Sequence, residues 1–176
     1  LTQPFVLDTT PPVVRILQPA PGASTTATEV TVTGTVDDLT LQSVVVNGTV
    51  AAIQDAESGA EAGFPGLSGV EGSRTFVATV PVAEGANTLS VTAQDLAGHE
   101  TRVDVSVTAD RTPPQLTIAS PGEAAIIANP PFTVQGSVVD LTSVRVAVDG
   151  ASADVVGSEW SARVDAAADG DRTVTV

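Results

Sequence analysis

The stretch Val30-Thr31-Val32-Thr33-Gly34-Thr35-Val36-Asp37-Asp38-Leu39-Thr40 alternates apolar and polar side chains until two aspartates break it. Such alternation places the valines on one face of a pleated strand and the threonines on the other. The pattern returns. Gly34 and Asp38-Leu39-Thr40 recur as Gly136 and Asp140-Leu141-Thr142, a step from 34 to 136, or 102 residues. At the same step Thr10-Pro11-Pro12 meets Thr112-Pro113-Pro114, Ile16 meets Ile118, and Pro19 meets Pro121. Val44, Val46 and Gly48 meet Val146, Val148 and Gly150. An ungapped match of this length is an internal repeat. Further on, Phe76 corresponds to Trp160 at a step of 84, so the first repeat is longer by the difference, 18 residues. The extra length falls in a Gly-rich, acidic loop at 54–73.

The repeat predicts strands at 13–18, 28–36, 42–47, 49–53, 74–81, 87–94 and 101–108 of the first module. β-Branched residues fill these runs, and Gly, Pro, Asp and Asn separate them. The expected fold class is therefore all-β, two tandem β-sandwiches. A length of 176 residues allows one large domain or two small ones, and the repeat decides for two. Three segments follow: 1–8, a strand belonging to a neighbouring module; 9–110, a complete module; and 111–176, an incomplete one. Leu1 to Asp8 aligns at the common step with Val103 to Asp110, the last strand of the first repeat. Arg172 to Val176 aligns with Asn87 to Val91, so the second repeat lacks its last strand.

Composition removes several functions. Seven basic residues, all Arg, face 21 acidic ones, for a net charge of −14. That surface repels phosphate, so nucleic acid is not an expected partner. Cysteine is absent, which excludes disulfides and thiolate metal sites. No apolar run reaches the ~20 residues of a membrane helix, and no membrane insertion is expected. The single histidine, His99, has no nucleophile context or second imidazole, and reads as an exposed turn residue. Gly-x-Ser-x-Gly and phosphate-loop motifs are absent. Carboxylates such as Glu57 and Glu61 lie in a loop without the burial that would split their pKa values. No enzyme activity is expected.

Four pieces resemble bacterial immunoglobulin-like repeats, namely the domain-B-like modules of glucodextranases and the tandem modules of surface proteins. They are Asp-x-Thr-Pro-Pro (Asp8 to Pro12, Asp110 to Pro114), Gly34-x-Val36-x-Asp38, Val44-Val45-Val46-Asn47-Gly48, and Glu84 to Leu89 leading into Ala93 to His99. His99 departs from the pattern, where related hairpins carry Asn. The resemblance implies an immunoglobulin-like sandwich, with Asp8, Asp38 and Asp95 at one end of it. Three carboxylates converging there, with Asp37 as a fourth, are a candidate Ca²⁺ site at a module junction. Asp110 and Asp140 hold the equivalent places for the second module. The alternative is that each aspartate stabilises its own turn. Asn47-Gly48-Thr49 fits both a glycosylation sequon and a two-residue hairpin turn; Asp149-Gly150-Ala151 keeps only the turn. Phe64 is the apolar candidate contact in the 54–73 loop. Phe76 and Trp160 read as core.

The expected role is a structural or adhesive spacer of a larger extracellular or cell-surface bacterial protein. Its partners would be neighbouring modules of the same or an identical chain, or a cell-surface glycan or protein. One alternative is an accessory module of a secreted polysaccharide-degrading enzyme. Another is a fibre subunit in which Leu1 to Asp8 completes the module ending at Val176 of the next molecule, by strand addition.

Overall fold

A computed structural model describes residues 5–55, 73–128, 131–165 and 173–176. The chain divides into two compact units, Leu1–Arg111 and Thr112–Val176. Every regular element among the described residues is a strand.

Unit 1 holds nine strands: β1 (Val13–Gln18), β2 (Ala23–Thr25), β3 (Glu29–Asp37), β4 (Leu41–Val46), β5 (Thr49–Val50), β6 (Ala52–Asp55), β7 (Arg74–Pro81), β8 (Gly85–Asp95) and β9 (Glu100–Ala109). They form two sheets in the orders β1-β3-β7-β6 and β2-β9-β8-β4-β5. All pairs are antiparallel except β2 with β9. The alternation seen in the sequence sorts the faces. Val32, Val36, Phe76, Ala78 and Val80 of the first sheet are buried together with Val44, Val46, Leu89, Val91, Val105 and Val107 of the second. This is an immunoglobulin-like sandwich.

Two details differ from the expected strands. The run expected at 49–53 is two strands. Thr49 and Val50 continue the hairpin on β4, whereas Ala52–Asp55 pair with β7 in the opposite sheet. Ala51 is the pivot: its N–H donates to the Val44 carbonyl and its side chain is buried. The other is β2, three residues with no alternation to betray them, paired in parallel to β9.

Unit 2 contains β10 (Gln115–Ser120), β11 (Phe132–Val139), β12 (Ala147–Val148), β13 (Ala151–Ser152), β14 (Asp154–Val156) and β15 (Glu159–Val164). The order β10-β11-β15-β14 reproduces the first sheet of unit 1, and β12-β13 is a separate hairpin. Its core is Val134, Val138, Val146, Val148 and Trp160. Both units share two devices. In each, an aromatic ring lies over a strand glycine directly opposite: Phe76 faces Gly34, and Trp160 faces Gly136. A Cβ built at Gly34 would overlap the Arg15 carbonyl and the Phe76 ring; one at Gly136 would overlap the Thr117 carbonyl and approach the indole. The indole N–H lies within reach of the Thr117 and Ser137 carbonyls, at 3.2 and 3.3 Å. The second device is the hairpin corner. Asn47 and Asp149 both adopt positive φ, 46° and 50°. Asn47 N–H donates to the Ser90 carbonyl and its Oδ1 accepts from Ser90 N–H at 2.8 Å. Asp149 does the same with Thr175, also at 2.8 Å to its carboxylate. The Asn47 amide further donates to Thr88 O, so the side chain works as a brace of the turn.

The glycine requirement is testable. Gly136→Ala should destabilise unit 2 by about 1–3 kcal/mol through overpacking. Trp160 is the only tryptophan, so its fluorescence in a urea titration reads this unit. An unchanged midpoint would mean that the ring does not need the bare glycine.

Candidate functional site at the entry of the first unit

Three chain segments meet at the end of unit 1 where the chain enters. Asp8 lies just before β1, Thr40 in the turn from β3 to β4, and Asp95 and His99 on either side of the β8–β9 turn. Backbone pairing sets this up: Leu41 opposes Asp95, and Leu96 N–H donates to the Thr40 carbonyl. Gly98, at φ 92°, lets the β8–β9 turn close tightly. Asp95 is buried. Its Oδ1 accepts from the His99 backbone N–H at 2.8 Å and its Oδ2 lies 2.7 Å from His99 Nδ1. An ionised carboxylate can only accept, so Nδ1 carries the hydrogen. Asp8 accepts from Thr10 N–H at 3.1 Å, from Thr10 Oγ1 at 3.2 Å and from Thr40 Oγ1 at 2.7 Å. The last bond ties the segment preceding the sandwich to its core-proximal turn.

The electrostatics follow from these donors. The Thr40 hydroxyl, then the Thr10 amide, hold the Asp8 carboxyl below its ordinary value. Burial alone would raise Asp95, but the side-chain and backbone bonds from His99 outweigh it and hold that carboxyl low as well. Asp38 goes the other way. Burial raises it, and repulsion from Asp8 and Asp95 adds to the rise, against the bond that its Oδ1 accepts from Thr40 N–H at 2.8 Å. Its Oδ2 is buried without a hydrogen-bond partner.

The set nominated from sequence is thus partly reassembled. Asp8, Asp95 and His99 each offer a ligand atom within 4.8 Å of the others. Asp38 stands beside them in the field of both carboxylates but outside that group. Asp37 is half-buried on β3. Asp110 belongs to unit 1, where its N–H donates to the Thr25 carbonyl at 2.9 Å. Asp140 belongs to unit 2, where it accepts from the Thr142 hydroxyl at 3.2 Å. Phe64 lies outside the described residues; the base of its loop is closed by Arg74 Nε on Asp55 Oδ1 at 3.0 Å. His99 is the residue that sequence reasoning misplaced. It does lie in the turn, but it is half-buried instead of exposed, and its ring is bonded to Asp95. The available signal was its position four residues after Asp95 across a Gly-containing turn.

Chemically the cluster is a clasp. It fastens the incoming chain with charge-assisted hydrogen bonds, and an imidazole is among its donors. Asp38 Oδ2 is buried beside it without a donor. Calcium favours all-oxygen shells, whereas a set containing imidazole suits later transition metals.

The pH dependence has a definite sign. A carboxyl lowered on folding stabilises the fold above its unfolded pKa of about 3.9, and that stabilisation is lost as pH falls through the lower folded value. Asp8 and Asp95 therefore make unit 1 acid-labile below about pH 4. Asp38, raised on folding, costs stability once it ionises. Asp38→Asn keeps an Oδ1 for Thr40 and should raise the melting temperature at pH 7, with the gain vanishing below about pH 4. Scanning calorimetry at both pH values reads this directly. A gain that persists in acid would detach it from the carboxylate charge.

No family model matches the chain, and no curated protein matches it. Among solved structures it is similar to the fibronectin(III)-like modules of Clostridium thermocellum CbhA. That match has 16% sequence identity and a TM-score of 0.44, and it covers 88% of this chain and 80% of that one.

Proposed function

We propose that the chain is a pair of spacer modules in a larger extracellular or cell-surface bacterial protein, carrying tension rather than catalysing a reaction. The supporting observation is the parallel ladder between β2 and β9, with Ala23, Ser24 and Thr25 opposite Val107, Thr108 and Ala109. Gly22 N–H to Ser106 O, at 2.8 Å, and Asp110 N–H to Thr25 O, at 2.9 Å, bracket it. β2 lies near the entry of the unit and β9 at its exit. Tension applied along the chain slides one strand past the other, so the bonds between them are loaded together instead of one at a time. The two ends are pinned as well. At the entry stands the Asp8–Thr40 bond. At the exit Arg111 donates to Glu84, at 2.9 Å from its backbone and 2.7 Å from its guanidinium, and to the Val82 carbonyl at 2.7 Å. The motif resemblance to tandem surface modules points the same way, and the acidic, cysteine-free composition is compatible with it.

Single-molecule pulling tests the reading. Unit 1 stretched through its ends should unfold at a clearly higher force than the same unit stretched through handles at Ala27 and Arg111, which unzip the ladder from one end. Equal forces in the two geometries would sink the load-bearing role. A Ca²⁺ titration separates two ways of fastening the entry. A clasp held by its own hydrogen bonds keeps its melting temperature. An ion held by Asp8, Asp38 and Asp95 raises it, and the rise disappears in Asp38→Asn.

A further inference from the structure

Of the three asparagines in the chain, Asn47, Asn87 and Asn129, only Asn47 precedes a glycine. That pairing is chemically labile. The backbone nitrogen of the following residue can attack the asparagine Cγ, and a glycine has no Cβ to obstruct the approach. Thr88 and Pro130 follow the other two. A β-branched residue crowds the attack, and a proline has no N–H to lose.

The fold employs the same side chain as a brace. Asn47 lies exposed at the β4–β5 corner with φ 46°, followed by Gly48 with φ 85°. Both polar atoms of its carboxamide are anchored to the backbone of β8. Oδ1 accepts from Ser90 N–H at 2.8 Å, and Nδ2 donates to the Thr88 carbonyl at 3.3 Å. For Cγ to swing onto the Gly48 nitrogen, the side chain must release both. The closed corner therefore opposes the reaction that the sequence invites.

The second unit shows how the fold treats the product. Asp149 and Gly150 hold the equivalent corner at φ 50° and 82°. The Asp149 carboxylate accepts from Thr175 N–H at 2.8 Å, and Asp149 N–H donates to the Thr175 carbonyl at 2.8 Å. Asn47 makes the same two bonds with Ser90. An aspartate in this place keeps the acceptor and gives up only the Nδ2 donor.

We propose that Asn47 is a latent modification site, protected while the β4–β5 corner is closed and deamidated when it opens. The Gly48 nitrogen, having lost its proton to solvent, bonds to Asn47 Cγ, and the side-chain nitrogen leaves as ammonia. Water then opens the cyclic imide. Addition at Cγ breaks the new Cγ–N bond and gives aspartate on an unchanged backbone. Addition at the backbone carbonyl breaks the original peptide bond and gives isoaspartate, with the chain rerouted through Cβ and Cγ. The aspartate form closes the corner as Asp149 does. The isoaspartate form carries an extra backbone carbon, which a two-residue turn does not accommodate. Either product adds a negative charge, so an opened corner leaves a permanent mark. The inference rests on the geometry of the corner and stands independently of the tension-bearing role.

The test incubates the 176-residue chain in mildly alkaline buffer, folded or unfolded in concentrated urea. Peptide mapping by mass spectrometry, with fragmentation that separates aspartate from isoaspartate, follows all three asparagines. In the unfolded chain Asn47 should convert faster than Asn87 or Asn129. In the folded chain it should convert about tenfold more slowly or less, the factor that two hydrogen bonds to be broken amount to. The variant Asn47→Asp should fold and lower the melting temperature of the first unit by no more than about 5 °C. After removal of urea, the aspartate fraction should regain wild-type amide protection at 44–50, and the isoaspartate fraction should not. Equal rates in the folded and unfolded chains, an Asn47→Asp variant that loses protection at 44–50, or an isoaspartate fraction that regains it would each overturn the proposal.

Discussion

β9 is the strand on which the first sandwich depends. It pairs antiparallel with its hairpin neighbour β8 on one side and parallel with β2, from the start of the unit, on the other. Its inner residues, Val105, Val107 and Ala109, are buried in the core that also takes Val14 and Val91. A β-sandwich gains its apolar burial only when both sheets reach across the full width of the core. The second unit repeats the first sheet, with an aromatic ring over a strand glycine and a braced hairpin corner.

Much of this was legible because the chain carries its own comparison. Apart from β2 and the split at Ala51, the strands of unit 1 follow the sequence alternation to within a few residues. The glycine step from Gly34 to Gly136 and the aromatic step from Phe76 to Trp160 become one contact, ring over bare backbone, in each unit. Neither spacing alone would say that the glycine serves the ring. What stayed illegible shares one cause, that it is set by non-local pairing. β2 is three residues of weak pattern made into a strand by β9. The split at Ala51 depends on which sheet is nearer, and a run of alternating residues cannot encode that. His99 was read as a lone imidazole because its partner's burial is a property of the assembled end.

The aspartates at the entry illustrate how position decides the role of a single residue type. Asp8, Asp38 and Asp95 were nominated together as like carboxylates, and their surroundings separate them. Asp8 and Asp95 receive more donors than burial removes, so both favour the ionised form. Asp38 shares its surroundings with these two anions and has one oxygen with no donor, so its ionisation opposes the fold. A residue that costs stability where an uncharged isostere would not is a mark of local frustration. In this unit it sits beside the clasp that fixes the approach of the chain.

The clasp and the closing strand serve the same end. A linear array transmits tension only if each module is fixed where the chain enters and where it leaves; otherwise the terminal strands peel and the ladder is never sheared. Unit 1 meets both conditions with different chemistry. The entry uses carboxylates that accept from Thr10, Thr40 and His99. The exit uses a guanidinium, with Arg111 bridging the Glu84 carboxylate and the Val82 carbonyl. Between them lies a parallel ladder whose two strands are far apart in sequence and adjacent in space, so the unit cannot lengthen without breaking it. Under the proposed tension-bearing role, β9 is both the strand that completes the core and the strand that carries load.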